Sequence, residues 1–107
     1  MDQQEFNKVM YNRIEKVKAI MASKSQEYAR GDKLSNFKKA AAALGTTPEQ
    51  ALIGFWIKHV VSITDLCNDL ETGKIAPMKM WDEKITDLIN YMILLEALVV
   101  ERLPEQQ

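Results

Sequence analysis

The sequence predicts an all-α protein, and three observations lead to this fold class. Apolar residues recur every three or four positions over most of the 107 residues, which is the period of a helix that buries one face. Helix start and stop signals divide the chain into four segments. No stretch shows the sustained alternation of a strand, and no Asn-Gly or Asp-Gly hairpin pair occurs. We therefore expect a single all-α domain over residues 1–107, built as a four-helix bundle with one short helix.

The first helix is predicted over most of residues 3–28, because its apolar residues form one stripe along the helix. The glycine and aspartate at 31–32 end this helix, since glycine readily adopts the backbone angles of a turn. Ser35 is predicted to cap a short second helix that runs through Ala43, and Gly45 stands where a C-terminal helix glycine belongs. The stripe of the first helix consists of Phe6, Val9, Met10, Ile14, Val17, Ile20 and Met21.

The third helix is predicted to begin at Thr47, whose hydroxyl can accept a hydrogen bond from a backbone N–H of the first turn. Pro48 in the first turn and Gln50 three residues after the cap complete this start signal. The helix continues to about Leu70. Successive residues lie 100° apart on a helix, which gathers its apolar residues and His59 on one face. That face contains Leu52, Phe55, Trp56, His59, Ile63, Leu66, Cys67 and Leu70.

The fourth helix is predicted from about Met80 to Arg102, after a loop over residues 71–77. Pro104 stops it, because proline lacks a backbone N–H and clashes within a helix. Apolar residues cover more than half of the circumference of this helix, so it is either central in the fold or at a subunit interface. We therefore expect a homo-oligomer.

The composition is that of a globular protein, with 47% hydrophobic and 27% charged residues. The single cysteine, Cys67, excludes an internal disulfide and favours a reducing compartment. The first residues are polar, and no apolar run reaches the roughly 18 residues that a membrane span needs. We expect a soluble cytoplasmic protein with no membrane partner.

The charges are distributed unevenly along the chain. Residues 1–41 carry nine lysines and arginines and five acidic residues, whereas residues 42–107 carry five and ten. A total of −1 argues against general nucleic-acid binding, which requires many phosphates to be neutralised. A local basic patch could still hold a small phosphate-bearing ligand, or it is a solvated face next to acidic neighbours. The patch consists of Lys24, Arg30, Lys33, Lys38 and Lys39.

Few residues carry recognisable chemistry. His59 and Cys67 lie about 12 Å apart along one helix, which is too far for a nucleophile and its base. His59 is either a satisfied core histidine or a ligand contact at the edge of a pocket. Glu83 and Asp87 are one turn apart. They either hold Mg²⁺ together or only charge the first turns of the helix, where the helix dipole favours acids.

Several short motifs, taken together, resemble a known family. The residues concerned are Lys24, Glu27-Tyr28-Ala29, Asp32, Asn36-Phe37, Thr47 to Gln50, Lys58 and Asp87 to Tyr91. These motifs occur in the same order, on several predicted elements, in small phage and prophage proteins. The chain is similar to those of the MazG-like, nucleotide-modification-associated all-α group, over roughly residues 14–102.

The resemblance implies the wider superfamily of all-α nucleoside triphosphate pyrophosphohydrolases. These oligomers use four carboxylates on two helices to hold Mg²⁺ over a nucleoside triphosphate. In this chain the first carboxylate pair is replaced by the segment 58–62, Lys-His-Val-Val-Ser. Of the second pair only Asp87 remains, with Lys84 at the glutamate position and Glu83 one residue away. The resemblance therefore implies the fold more strongly than the hydrolysis.

What remains resembles a nucleotide pocket in which fixed positive charge stands in place of the metal. Its lysines and arginine would meet phosphates, its asparagines would contact polar edges of a base or sugar, and a tyrosine would stack on the base. The alternative is a buried polar network that joins helices, with Lys58 paired to Asp87. The expected ligand-binding residues are Lys24, Tyr28, Arg30, Asp32, Asn36, Lys58, His59, Asp87, Asn90 and Tyr91.

Three function classes remain open from the sequence. The first is a non-catalytic nucleotide-binding protein with no cofactor, which in a phage could sequester a nucleotide-derived immune signal in the host cytoplasm. The second is an active pyrophosphohydrolase for modified or non-standard nucleotides, with Mg²⁺ held by Glu83, Asp87 and Asp65 or Asp69. The third is a protein-interaction module that uses the apolar fourth helix.

Overall fold

The computed structural model describes residues 1–27, 32 and 34–103, of which residues 24–27 are described by their backbone alone. This part of the chain contains four helices and no strand, so the prediction of an all-α protein is confirmed. Contacts divide the chain into two compact units, Met1–Lys33 and Leu34–Gln107, which we describe separately. The helices are α1 (Gln3–Glu27), α2 (Ser35–Leu44), α3 (Pro48–Glu71) and α4 (Met78–Arg102).

Helix α1 forms the first unit and begins at a reciprocal cap. The Asp2 carboxylate accepts a hydrogen bond from the Glu5 N–H at 2.8 Å, and the Glu5 carboxylate accepts one from the Asp2 N–H at 3.2 Å. This capping box satisfies N–H groups that have no partner within the helix. Val17 of the predicted stripe is buried, whereas Phe6 and Ile14 are exposed in the described chain.

For α2, the predicted N-cap is wrong and the predicted C-terminal glycine is confirmed. Leu34 precedes the helix as its N-cap, so Ser35 is the first helical residue and not the cap. At the other end Gly45 adopts a left-handed conformation with φ of 68°, as the sequence predicts. The N–H of Thr46 then donates to the carbonyl of Ala41 at 3.0 Å and closes the last turn.

Helix α3 begins as its sequence predicts. The hydroxyl of Thr47 accepts a hydrogen bond from the Gln50 N–H at 3.2 Å, and Pro48 occupies the first helical position. The helix ends at Glu71, one residue beyond the predicted end. Of the residues predicted on its apolar face, Leu52 and Leu66 are buried, whereas Cys67 and Leu70 are exposed.

Helix α4 starts at Met78, two residues earlier than predicted, and ends at Arg102 as predicted. Pro104, which we expect to stop it, lies outside the described residues. None of the helices in the described part of the chain combines the length and hydropathy that a bilayer crossing requires.

The second unit is held together by a hydrophobic core between α3 and the two helices that pack against it. Helix α3 packs against both α2 and α4. The core consists of Leu34, Phe37, Leu52 and Leu98, with Leu52 at 0% exposure. Six partly buried residues pack around it: Ile53, Phe55, Tyr91, Leu94, Leu95 and Ala97.

Candidate functional site

A polar and aromatic cluster lies where α3 meets α4. Nδ1 of His59 is 3.4 Å from Oδ2 of Asp87, and the rings of His59 and Tyr91 are 5.0 Å apart at an angle of 36°. Asp87 and Tyr91 are one helical turn apart, so both side chains meet the same histidine. The side chains of His59 and Asp87 are 25% and 29% exposed. The cluster is therefore open to solvent, as a binding site must be.

Helix α2 contributes an aromatic residue to the cluster. The ring of Phe37 lies edge-on to Tyr91, with centroids 6.2 Å apart, and 6.1 Å from the ring of Phe55. These separations are typical of favourable aromatic pairs. Lys58 adds a positive charge, with Nζ 5.8 Å from the centroid of Phe55. We call His59, Asp87 and Tyr91, with Phe37 and Phe55, the His59 site.

Asn90 lies between Asp87 and Tyr91 in the sequence and is buried, at 5% exposure. Within the described chain, neither its side-chain nitrogen nor its oxygen has a hydrogen-bond partner. Burying an unpaired amide costs about 1–3 kcal/mol, so almost all buried polar groups in proteins are paired. A ligand that pairs with the amide would supply these partners and explain the presence of Asn90 at this position.

The structure describes only some of the other predicted ligand-binding residues. Asn36 on α2 is exposed, as is Asp32. Tyr28 and Arg30 lie outside the described residues, as does the side chain of Lys24. The structure thus brings together His59, Asp87 and Tyr91 from the predicted set, with Lys58 beside Phe55 and Asn90 on the adjoining part of α4.

The predicted basic patch is only partly described. Lys38 forms an ion pair with Glu101 near the end of α4, whereas Lys39 is exposed. Lys33, like Arg30, falls outside the described residues. Since a neighbouring carboxylate balances the charge of Lys38, this lysine contributes less to any phosphate site.

The structure does not pair Lys58 with Asp87, the contact expected in the alternative polar network; the polar contact between α3 and α4 is made by His59 instead. Asp87 contacts His59, and the ammonium group of Lys58 lies over Phe55. The side chains of Lys58 and Asp87 therefore have different neighbours, although α3 and α4 pack against each other.

The candidate Mg²⁺ ligands do not form a carboxylate cluster. Glu83 is exposed on α4, while Asp87 contacts His59. Among the described residues, no group of three or more histidine, cysteine and acidic side chains is placed to hold a metal ion. Asp65 is exposed and Asp69 half-buried on α3. The described geometry therefore adds no third ligand to the predicted pair.

The C-terminal end of α4 is joined to the start of α3 by a bidentate ion pair that the sequence does not predict. Nε and Nη2 of Arg102 donate to the two carboxylate oxygens of Glu49 at 2.6 and 2.9 Å. These hydrogen bonds hold the pKa of Glu49 below its ordinary value, against a smaller opposing effect of burial. The partners are 53 residues apart in sequence, so no local spacing could indicate the pair.

A shallow groove of about 340 Å³ lies on the other side of α4. Ile89 lies two positions after Asp87, and Ile93 lies two positions after Tyr91. Two positions correspond to about 200° around a helix, so the isoleucines lie on the side of α4 away from these two residues of the His59 site. The indole N–H of Trp56 is buried near this groove and has no partner among the described residues. We call this feature the Trp56 groove; its lining consists of Trp56, Leu88, Ile89, Met92, Ile93 and Glu96.

Comparison with known proteins gives no relative from which a function could be transferred. No family model matches the chain, and neither a curated protein nor a solved structure matches it.

Proposed function

We propose that this protein binds a nucleotide at the His59 site without cleaving it. The observation that carries the proposal is the buried, unpaired amide of Asn90, which lies on α4 within one helical turn of Asp87 and Tyr91. A polar network that only joined the helices would be stable if its groups paired with one another, and this amide does not. A ligand with hydrogen-bonding edges supplies the missing partners.

The residue types of the cluster suit the parts of a nucleotide. The Tyr91 ring offers a stacking surface for a base, and such stacking contributes about 1–3 kcal/mol per base. The amide of Asn90 has one free donor group and one free acceptor, which complements the polar edge of a base. Lys58 carries the positive charge that a phosphate needs.

The resemblance to phage proteins suggests a use for binding without turnover. A protein that holds a nucleotide and releases it intact lowers the free concentration of that nucleotide in proportion to its own abundance. We propose a nucleotide-derived immune signal of the host as the ligand and sequestration as the function, in the host cytoplasm. The proposal requires no cofactor.

Thermal unfolding in the presence of candidate ligands tests this function. The panel contains mononucleotides, cyclic dinucleotides and NAD-derived signals, with and without Mg²⁺, and each ligand is recovered and checked for cleavage. We expect at least one ligand to raise Tm without Mg²⁺, because binding to the folded state alone stabilises it, and to be recovered intact. If no member of the panel raises Tm, the proposed function is wrong.

A comparison of two lysine variants tests whether the ligand binds near Lys58. Lys58→Met is expected to reduce the ligand-induced rise in Tm while leaving the fold intact, because Lys58 is exposed and its charge adjoins the cluster. Lys74→Met, in the loop between α3 and α4, removes the same charge from an exposed position and serves as the control. Equal effects of the two substitutions would rule out a specific role for Lys58.

Pyrophosphate release separates this proposal from a pyrophosphohydrolase. With excess Mg²⁺ or Mn²⁺ we expect no turnover of nucleoside triphosphates, since two carboxylates are fewer than the four that the resemblance implies. Lys84 next to Glu83 further disfavours a bound cation. Turnover near 1 s⁻¹, within the usual range of enzymes, that disappears in Asp87→Asn would establish the enzyme instead.

A further inference from the structure

Both polar atoms of the buried Asn90 amide lack a hydrogen-bond partner within the described chain. A carboxamide carries a donor nitrogen and an acceptor oxygen side by side. A ligand group that satisfies both atoms at once must therefore place an acceptor beside a donor in one plane. This requirement narrows the class of base that the site can recognise.

The edge of adenine that carries N6 and N7 has this pattern. N6 is an amino donor and N7 is an acceptor, and a bidentate pair with asparagine is the usual way in which a side chain recognises this edge. On the corresponding edge guanine presents N7 and O6, which are both acceptors. That edge of guanine would leave the oxygen of Asn90 without a partner.

The remaining edges of the other bases suit the site less well. Guanine has a donor beside an acceptor at N1 and O6, but its amino group at N2 adds a second donor that needs an acceptor of its own. The Asp87 carboxylate could accept from such groups, but it is engaged 3.4 Å from Nδ1 of His59. Cytosine and uracil also have a donor beside an acceptor, but their single ring covers less of the Tyr91 ring than a purine does.

We propose that the nucleotide held at the His59 site carries adenine, and that Asn90 determines this preference by pairing with N6 and N7. The inference rests on the proposed function. Asn90 and Tyr91 are consecutive residues of α4, and consecutive side chains project about 100° apart around a helix. The two side chains therefore approach a planar base from different directions, the amide at its edge and the ring at its face.

Titration calorimetry of the native chain with AMP and 7-deaza-AMP tests the contact at a single atom. The analogue keeps the rings, the amino group and the phosphate of AMP, and it replaces N7 by a C–H group that accepts no hydrogen bond. We expect AMP to bind about 10-fold or more tightly than the analogue, because the analogue leaves the nitrogen of Asn90 unpaired. Equal affinities would overturn the proposal.

Titrations with GMP, CMP and UMP separate this inference from the proposed function. We expect AMP to bind about 10-fold or more tightly than each of them. If one of these three binds as tightly as AMP, the preference for adenine is wrong although the site still binds a nucleotide. If none of the four binds, the adenine proposal is overturned, whereas the proposed function is decided by the wider ligand panel.

Asn90→Asp tests the residue that determines the preference. Aspartate has nearly the same size, but its ionised carboxylate only accepts hydrogen bonds and cannot donate to N7. At about pH 8 we expect the affinity for AMP to fall about 10-fold or more and the preference to move towards GMP, whose N1 and N2 both donate. Asn68→Asp, at an exposed position on α3, is the matched control and should keep the native preference.

An Asn90→Asp variant that binds AMP with native affinity would overturn the role of Asn90. The Tm of each variant without ligand shows whether it is folded. If the buried carboxylate prevents folding, the comparison of AMP with 7-deaza-AMP on the native chain decides the proposal.

Discussion

The two sides of α4 differ in chemistry although they belong to one helix. On one side Asp87 and Tyr91 contact His59, and Phe37 of α2 packs against the tyrosine ring. On the other side, in the Trp56 groove, Ile89 and Ile93 line an open apolar surface. A helix that is apolar over most of its circumference can therefore do more than fill a core. Here one side gathers polar and aromatic groups, and the other presents an open apolar groove.

The largest expected effect comes from the core of the second unit. Leu52 is fully buried there with Leu34 and Phe37, and Leu52→Ala leaves a cavity that costs about 2–5 kcal/mol. We expect this loss in urea unfolding, together with weaker ligand binding, because Tyr91 of the His59 site packs against this core. Leu44→Ala, at an exposed leucine, is expected to stay within about 0.5 kcal/mol of the native value. A Leu52→Ala variant as stable as the native chain would contradict the central place of Leu52 in this core.

A smaller effect is expected from a substitution in the His59 site, on one side of α4. Tyr91→Leu removes the ring that contacts His59 and Phe37 but keeps an apolar side chain. Loss of base stacking is expected to weaken nucleotide affinity by about 10-fold or more, while loss of the ring pairs costs about 1 kcal/mol of stability. Titration calorimetry measures the affinity, and urea unfolding measures the stability. Lower stability with unchanged affinity would show that the ring supports the fold alone and does not contact the ligand.

The smallest effect concerns the ion pair at the end of α4. Because the pKa of Glu49 is held below its ordinary value of 4.5, the pair stabilises the folded state above that pH. The contribution is lost as the pH falls through the lowered pKa. Arg102→Met is therefore expected to lower the urea midpoint slightly at pH 7, since exposed ion pairs contribute little. The difference from the native chain should vanish in acid; a difference that persists at pH 2 would mean that lost packing, not charge, is responsible.

The sequence predicts features that depend on neighbours along the chain better than features that depend on distant ones. The Thr47 cap and the Gly45 terminus follow from local hydrogen bonding and backbone freedom, and both are confirmed. The cap at Ser35 is wrong by one position, because the residue that precedes the first helical turn is Leu34. Helix boundaries are thus predictable to within one or two residues.

The candidate site is predictable only in part. Helical spacing places His59 on the inner face of α3 and puts Asp87 one turn from Tyr91, but it does not reveal which residues of two helices meet. The contact between His59 and Asp87 joins residues 28 positions apart, and the sequence left Lys58 as the alternative partner. The sequence also does not reveal that Asn90 is buried without a partner. An asparagine in a helix is more often exposed to solvent, and its burial here depends on the packing of the fold.

Asn90→Leu tests the central claim, that this unit keeps a destabilising amide for the sake of a ligand. Leucine has a similar branched shape and no polar atoms, so the account predicts that unfolding in urea becomes harder by about 1 kcal/mol or more and that the nucleotide-induced rise in Tm is lost. Asn68→Leu, at an exposed position on α3, should change neither quantity. A destabilised Asn90→Leu variant, or one that still binds the nucleotide with native affinity, would contradict the account.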